Sequence, residues 1–418
     1  MTADQNINQL PNGWEWKQFS EVAKLIRGVS YDKQNAFNDP AEGLLPILRA
    51  TNIQNGLVLE EFVYVPEKIV KEEQLIKEGD IILAMSSGSK ELVGKAAQAK
   101  QDYEIAFGTF CGLIRPNEKI NKKFFGYYFQ TREYRNYVSS ISKGIGINNL
   151  RRNHIEDLSF PLCSPEEQIG IVSKIEELFS ELDKGIEELK TAQQQLKVYR
   201  QAVLKWAFES DLENKEKMFL SDVTEKIQIG PFGTQLHKED YVEGGIPLIN
   251  PMHIQNGMIV PNLSYSIKED KRDSLPNYIL EQDDVIMGRR GEMGRCGLVT
   301  EKEHGWFCGT GSLYARPNKK FVNSKFLYHL LQSETTKKYL EENAGGTTMA
   351  NLNLKIVRNI PLHLPTVEEQ QQIVQEIESR LSVCDKIEET ITNSLKQSEA
   401  LRQSILKKAF EGRLVKKK

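Results

Sequence analysis

The chain of 418 residues repeats itself. Leu204-Lys205-Trp206-Ala207-Phe208-Glu209 returns as Leu406-Lys407-Lys408-Ala409-Phe410-Glu411, an offset of 202. Glu166-Glu167-Gln168 returns as Glu368-Glu369-Gln370, and Ile171-Val172 as Ile373-Val374. Pro46-Ile47 and Ile53-Gln54-Asn55-Gly56 return as Pro247-Leu248 and Ile254-Gln255-Asn256-Gly257. Arg115-Pro116-Asn117 returns as Arg316-Pro317-Asn318. The order is the same in both copies, so the signal is duplication and not shared composition. Two like units in one chain predict pseudo-two-fold symmetry, and duplex DNA is a natural partner for it.

A chain this long holds roughly two to four domains. Hydrophobic content of 39% and charged content of 27% fit globular units with real cores. Apolar runs such as Ile81-Ile82-Leu83-Ala84-Met85 are too short to span a membrane, and residues 1–13 are polar and lack a signal-peptide core. The five cysteines, Cys111, Cys163, Cys296, Cys308 and Cys384, are scattered and form no C-x-x-C. That pattern predicts a reducing cytoplasm, no disulfide frame and no structural zinc. The net charge of −3 leaves nucleic-acid binding undecided. Residues 165–213 hold the excess, with 6 basic against 11 acidic side chains.

After Pro165, and again after Thr366, the pattern becomes a long helical period. Val172, Ile175, Phe179, Leu182, Ile186, Leu189, Gln193, Leu196, Arg200, Val203 and Ala207 recur at alternating three- and four-residue steps. Val374, Ile377, Leu381, Cys384, Glu388, Ile391, Leu395, Ser398, Arg402, Ile405 and Ala409 follow the same steps. Each set is a heptad seam with polar interruptions. A helix of ~45 residues is ~65–70 Å long. Ser164-Pro165-Glu166-Glu167 is a good helix start, and Thr366 with Glu368 and Glu369 is a second. Gly412 is a stop signal.

The segments before each helix hold β-like runs at 44–48, 81–85, 246–249 and 285–287, followed by helical patches at 123–137 and 325–342. The expected fold is α/β (α+β), with globular domains at 1–164 and 214–366 and long helices at 165–213 and 367–418. Helix one leads into the second domain, so packing of the seams requires helix two to run back as an antiparallel coiled coil. Such a pair could hold two domains at a fixed separation, and B-DNA repeats every ~34–36 Å. The competing expectation is two seams that recruit other chains.

A search for catalytic chemistry finds little. Asn38-Asp39-Pro40-Ala41 lacks the second proline and the aromatic of an amino-methyltransferase motif. The stretch from Gly88 to Ala96 is one residue too long for a P-loop and ends in alanine where Mg²⁺ needs Ser or Thr. Gly144-Ile145-Gly146 lacks the third glycine of a dinucleotide fingerprint. The six histidines, at 154, 237, 253, 304, 329 and 363, show no metal-ligand spacing.

What remains is polar loop chemistry at matching places. Ser86-Ser87-Gly88-Ser89-Lys90 follows the strand ending at Met85, as Gly288-Arg289-Arg290-Gly291-Glu292 follows Met287. Arg49-Ala50-Thr51-Asn52 faces Asn250-Pro251-Met252-His253, and residues 143–152 face 344–353. Such side chains reach base edges and phosphates, and glycines admit close backbone approach. The expected DNA contacts in the first copy are Arg27, Tyr31, Lys33, Arg49, Thr51, Asn52, Ser86, Ser87, Ser89, Lys90, Lys143, Asn148, Asn149 and Arg151. In the second they are Gln235, His237, Asn250, His253, Arg289, Arg290, Arg295, Thr347, Thr348, Asn351 and Asn353. For any one of them the bland alternative is an ordinary turn with a solvated end.

The arrangement resembles the specificity subunit of type I restriction–modification enzymes over nearly the whole chain. The marks are Leu10-Pro11-Asn12-Gly13-Trp14, Ile26-Arg27-Gly28-Val29-Ser30-Tyr31, Asn52-Ile53-Gln54-Asn55-Gly56, Ala84-Met85-Ser86-Ser87-Gly88-Ser89, Pro165-Glu166-Glu167-Gln168, Ala207-Phe208 and Ala409-Phe410-Glu411-Gly412. The resemblance implies two target recognition domains, each reading half of a split DNA sequence. It implies helices that dock two methyltransferase subunits, and no catalysis by the chain itself. S-adenosylmethionine and adenine N6 methylation by base flipping would belong to those partners. ATP and Mg would belong to a further restriction subunit. Gly230-Pro231-Phe232-Gly233 departs from the Arg27-Gly28-Val29-Ser30 stretch, which implies an asymmetric target. The competing functions are an enzyme with its own nuclease or methyltransferase site and a coiled-coil scaffold with protein-binding ends.

Overall fold

The structure, a computed structural model, describes residues 10–87, 92–141, 148–209, 217–345 and 351–415. Two compact units divide it, residues 1–189 with 393–418 and residues 190–392. The divisions fall inside both long helices, α1 (Pro165–Glu209) and α2 (Val367–Phe410). Each unit therefore holds one globular domain, the start of the helix that follows it, and the end of the other helix.

In the first domain an antiparallel sheet has strands β1 (Ala23–Arg27), β2 (Ile81–Ala84), β3 (Ala96–Gln98) and β4 (Cys111–Pro116), in spatial order β1-β4-β2-β3. The second domain repeats it with β5 (Thr224–Ile229), β6 (Val285–Gly288), β7 (Cys296–Leu298) and β8 (Ser312–Pro317), in order β5-β8-β6-β7. A smaller mixed sheet accompanies each. Leu44–Leu48 runs antiparallel to Val63–Pro66 and parallel to Ala106–Phe107. Ile246–Ile249 runs parallel to Phe307–Cys308. The central strands β2 and β6 are buried at every position, which suits their unbroken apolar runs.

The repeat extends to individual bonds. Arg115 grips buried Asp80 through Nε (2.9 Å) and a terminal nitrogen (2.7 Å). Arg316 grips Asp284 in the same way at 2.8 and 2.9 Å. The Gln168 side chain accepts from the Asn121 N–H at 2.8 Å, and that of Gln370 from Asn323 at 2.8 Å. Each expected helical patch is two helices, not one: Lys122–Tyr128 with Arg132–Ile141, and Ser324–Leu331 with Glu334–Asn343. The break has a local cause. The Thr131 hydroxyl donates back to the Tyr128 carbonyl and accepts from the Tyr134 N–H, and Ser333 caps the Thr336 N–H.

Both long helices begin where the capping residues predicted. The Ser164 hydroxyl accepts from the Glu167 N–H, and Thr366 forms a reciprocal box with Glu369. At the end of α2, Gly412 has φ +62° and donates to the Ala409 carbonyl, while Arg413 donates to Lys408. That is a Schellman closure, which favours glycine.

Within each unit the helix segments run antiparallel. In the first, Phe410 meets Phe124 with ring centroids 4.9 Å apart, and Arg402 lies over Phe179 and pairs with Asp183. In the second, Phe208 meets Phe326 at 5.3 Å, Arg380 lies over Trp206, and Arg200 pairs with Asp385 (2.7 Å) and Glu388 (2.9 Å). The repeated Ala-Phe thus serves as an anchor. Phe208 ends α1 on the second domain's core, and Phe410 ends α2 on the first domain's. The polar seam positions Arg200, Glu388 and Arg402 are cross-helix pairs and not defects.

Candidate nucleic-acid interface

One end of each four-stranded sheet gathers the loops that carry most of the polar candidates. In the first domain β1 and β2 end there and β4 begins. The Met85 N–H donates to the Phe110 carbonyl (2.9 Å), and the Leu150 N–H donates to the Met85 carbonyl (2.8 Å). Ser86 then pairs with Asn149, and Ser87 with Asn148, in a two-residue antiparallel ladder. In the second domain the Arg289 N–H donates to Gly311 (2.9 Å), and Leu352 donates to Arg289 (3.0 Å). Arg290 bridges Asn351.

The bonds fix the equivalence: Met85 with Arg289, Ser86 with Arg290, Asn149 with Asn351. The register read from the sequence, which set Met85 against Met287, is corrected by two residues. β2 also ends at Ala84, one residue before Met85. The loop before β6 is longer than that before β2, which shifts the offset locally.

Beneath the loops, two chain segments cross backbone to backbone. A Cβ on Gly28 would lie 2.1 Å from the Gly108 carbonyl oxygen, and one on Gly230 would lie 1.9 Å from that of Gly309. No side chain fits at Gly28 or Gly230 without moving backbone.

The expected contacts fall into distinct groups. Asn149, Arg151 and Arg290 are exposed, and Ser86 and Ser87 are half-buried. The backbone of Asn148 is in the ladder. Arg27 ends β1 with its side chain exposed, and Arg49 and Thr51 are exposed beyond Leu48, where Arg49 donates to the Glu61 carbonyl at 2.9 Å. Tyr31 packs partly against Val29, Ile47, Val65 and Ala106. Asn250 accepts from the Gly311 N–H at 3.2 Å, which ties its turn to the reading loops. Arg295 pairs with Glu292 at 2.9 Å. Asn353 caps the helix Leu354–Arg358. Lys33, Gln235 and His237 lie on outlying turns, where Gln235 accepts from the Tyr278 hydroxyl and the His237 backbone N–H donates to Asp240. Ser89, Lys90, Lys143, Thr347 and Thr348 lie outside the described residues.

Two expectations are corrected. Asn52 is 4% exposed, and its side chain is committed to the Arg49 N–H (2.9 Å) and the carbonyls of Val58 (3.0 Å) and Glu60 (2.7 Å). His253, 3% exposed, fills the equivalent place with Nδ1 near the Asn250 N–H (3.2 Å) and the Leu248 carbonyl (3.0 Å). Both hold a turn together, and neither side chain reaches solvent. Arg289 is intermediate, since its Nε donates to the Leu352 carbonyl at 3.0 Å. Burial, and then the charge of Arg290, hold its guanidinium below its usual pKa.

The site is a fixed backbone platform with exchangeable polar tips. Its chemistry is hydrogen bonding and charge. Among the described residues there is no group of His, Cys, Asp and Glu that could hold a metal, and no helix long and apolar enough to cross a membrane. All five cysteines are buried and none is in a disulfide, and burial pushes the Cys111 and Cys296 thiols up to about 12. Neutral, buried thiols are poor nucleophiles.

The family described as type I restriction modification DNA specificity domain matches twice, at residues 11–191 and 213–397. The chain is 32% identical over 422 residues to the type I restriction enzyme StySPI specificity subunit of Salmonella potsdam, covering 98% of this chain and 91% of the relative. It is also 32% identical over 423 residues to the EcoKI specificity subunit of Escherichia coli (strain K12), with the same coverage of 98% and 91%. Among solved structures, the HsdS subunit from Thermoanaerobacter tengcongensis aligns with a TM-score of 0.55 at 19% identity, over 98% of this chain and 99% of that one. A chain from a study of complex assembly and conformational transition of the type I R-M system aligns with a TM-score of 0.73 at 20% identity, over 97% and 99%.

Proposed function

The chain belongs to the type I restriction modification DNA specificity family, and we propose that its two globular domains each read one half of a split, asymmetric DNA target. The domains are taken as residues 1–164 and 214–366, with spacer helices at 165–213 and 367–418. The observation that carries this reading is the equivalence of Ser86 and Arg290. One backbone platform, bonded alike at Met85 and Arg289, presents a short hydroxyl in the first copy and a long cation in the second. Hydroxyls contact several base edges, while arginine favours guanine through O6 and N7. A conserved frame with different tips is the physical form of reading two different half-sites.

The chain supplies recognition and binds no cofactor of its own. Two methyltransferase subunits dock on the helix pair and supply S-adenosylmethionine chemistry on a flipped adenine. A restriction subunit, where present, brings ATP and Mg. The complex works in the cytoplasm, on chromosomal DNA. The reading is tested by methylome sequencing of the host with and without this chain, and by methylation assays on purified components. The isolated chain should neither methylate nor cut DNA. With its methyltransferase it should direct N6-methyladenine to one split motif. Turnover by the chain alone, or methylation without a motif, would overturn the assignment.

The helix pair sets the gap between half-sites. Because Arg200 pairs with Asp385 and Arg402 with Asp183, a heptad added near residues 180–200 needs a matching heptad in α2 to preserve these pairs. The matched insertion lengthens each helix by ~10.5 Å, roughly 3 base pairs. The methylated motif should keep both half-sites and widen its gap.

A further inference from the structure

The most exposed phenyl rings of the described chain are Phe110 at 68% and Phe232 at 65%. One belongs to each domain, and both occupy the same feature. Phe110 lies two residues after Gly108, and Phe232 two residues after Gly230. Gly108 meets Gly28, and Gly230 meets Gly309, at the backbone crossing beneath the reading loops. The copies present the ring from opposite segments of that crossing. Where the first domain has Phe110 the second has Gly311, and where the second has Phe232 the first has Ser30.

A single exposed apolar side chain needs no explanation. Two phenyls placed at the same crossing, each from the other segment, do need one, because the glycine crossing beneath them is shared by both copies. The Phe110 backbone is also held. Its carbonyl accepts from both Met85 (2.9 Å) and Ser86 (3.2 Å), so the ring projects from a fixed base beside the polar pair Ser86 and Asn149. Phe232 follows buried Pro231, whose ring restricts φ.

We propose that Phe110 and Phe232 are specificity-determining residues that each contact the 5-methyl group of a thymine, one in each half-site. This inference rests on the reading of these loops as the DNA-facing surface. The chemistry follows from their neighbours. Hydroxyl and amide groups suit the polar base edges of the major groove, and the one apolar feature there is the thymine methyl, a known contact for phenylalanine. A ring held among such groups is positioned to sense that methyl and to disfavour cytosine, which lacks it.

The test uses the full chain assembled with its methyltransferase subunit and duplexes carrying the motif found by methylome sequencing. Each thymine is replaced in turn by deoxyuridine, which removes only the methyl. One such replacement in each half-site should weaken wild-type binding about fourfold, the equivalent of one buried methyl. Phe110→Ala should abolish that sensitivity in the half-site read by the first domain and leave the other unchanged. Phe232→Ala should do the reverse. Sensitivity to every deoxyuridine retained in both variants would overturn the proposal. So would a 2-aminopurine signal showing that the rings wedge between base steps. Asn149→Ala and Arg290→Ala are run alongside. If they shift affinity or motif while the phenyl variants do not, the interface stands and the methyl contact falls. If none of the four changes anything, the interface reading itself is wrong.

Discussion

The two domains are the same machine with different parts at three kinds of position. At the loop tips, Ser86 stands where Arg290 does. In the turn beyond the parallel strand, Asn52 caps the Arg49 N–H where His253 meets that of Asn250. In the helix behind the sheet, Tyr127 stands where His329 does, counting from the equivalent caps Asn121 and Asn323. Meanwhile the buried Asp–Arg pair, the Gln side chain that clasps each helix start and the terminal Phe anchor are copied. Duplication supplied two equal scaffolds. Divergence was then tolerated at exposed tips, and at the buried turn where Asn52 and His253 each meet the backbone N–H three residues earlier.

The sharpest way to break the scaffold half of this comparison is the buried pair. Asp80 is 1% exposed and Asp284 is 0% exposed. Each accepts two bonds from its arginine and one from a backbone N–H, that of Lys77 or Glu281. Replacing Asp80 by alanine leaves the half-buried Arg115 guanidinium without its carboxylate, at a cost of about 3–5 kcal/mol. Asp284→Ala should cost less, because Arg316 keeps Glu281 at 2.5 Å. Domain-resolved hydrogen exchange on strands β2 and β6 measures both losses. An equal or larger loss in the second domain would show that Glu281 does not make up for Asp284.

The buried histidines predict that the copies part in acid. His329 is 5% exposed, and burial draws its pKa down to about 4, partly offset by Glu378. Burial lowers that of His253 as well. In both, the folded state disfavours the charged ring, so below pH ~6.5 the unfolded chain binds more protons. Stability of the second domain should therefore fall as pH drops from ~6.5 toward 4, by up to about 3 kcal/mol for His329. The first domain, with Tyr127 and Asn52 in these places, lacks this loss. Urea melts at pH 7.5 and 5 followed by hydrogen exchange at Ser324–Leu331 and Lys122–Tyr128 should separate them. His329→Gln should flatten the difference, and equal acid sensitivity of the two helices would contradict it.

Arg290 tests the tips. Arg290→Ala should weaken binding by about 1–3 kcal/mol if the arginine pairs with a guanine, and should relax specificity only in the half-site of the second domain. If it touches phosphate, the loss should be similar on all sequences and the salt slope should fall by about one unit. Competition binding at two salt concentrations distinguishes the outcomes. Unchanged affinity and slope would remove the loop from the DNA. Ser86→Arg provides the reciprocal measurement in the first domain.

Much of this architecture was legible in the residues. The long helices were, because forty-odd positions of one period and their Ser164, Thr366 and Gly412 signals all agree. The antiparallel pairing followed from connectivity. The register at Met85 was not legible, because an insertion before β6 makes Met287 look equivalent, and only hydrogen bonds reveal Arg289 as the counterpart. Asn52 and His253 looked like base readers because the groups that read a base also cap a turn. Burial separates the two uses, and sequence does not record it. Phe110 and Phe232 are not legible as sites in the sequence, because a lone apolar side chain in a loop carries no charge or hydrogen-bonding signal. The available signal was an apolar residue flanked by glycine, as in Gly108-Thr109-Phe110 and Pro231-Phe232-Gly233.

The smallest predicted difference lies at the helix starts. Thr366 and Glu369 cap one another, with the Thr366 N–H donating to Glu369 at 2.8 Å and the Glu369 N–H donating to Thr366 at 3.3 Å. At the other start Ser164 accepts from the Glu167 N–H at 3.2 Å, while Glu167 also accepts the Trp14 indole N–H at 2.9 Å. The equivalent carboxylate thus has a second use, tying the first domain's leading segment to its helix. Ser164→Ala and Thr366→Ala should each cost about 1 kcal/mol, the usual worth of such a cap. Trp14→Phe keeps the packing against Phe124 but removes the indole donor. It should destabilise the first domain by about 1 kcal/mol, the net value of one hydrogen bond, and leave the second untouched. Thermal melts with hydrogen exchange at the first turns of α1 and α2 would show it. If Trp14→Phe changed neither helix start, the two caps would be energetically equivalent despite their different partners.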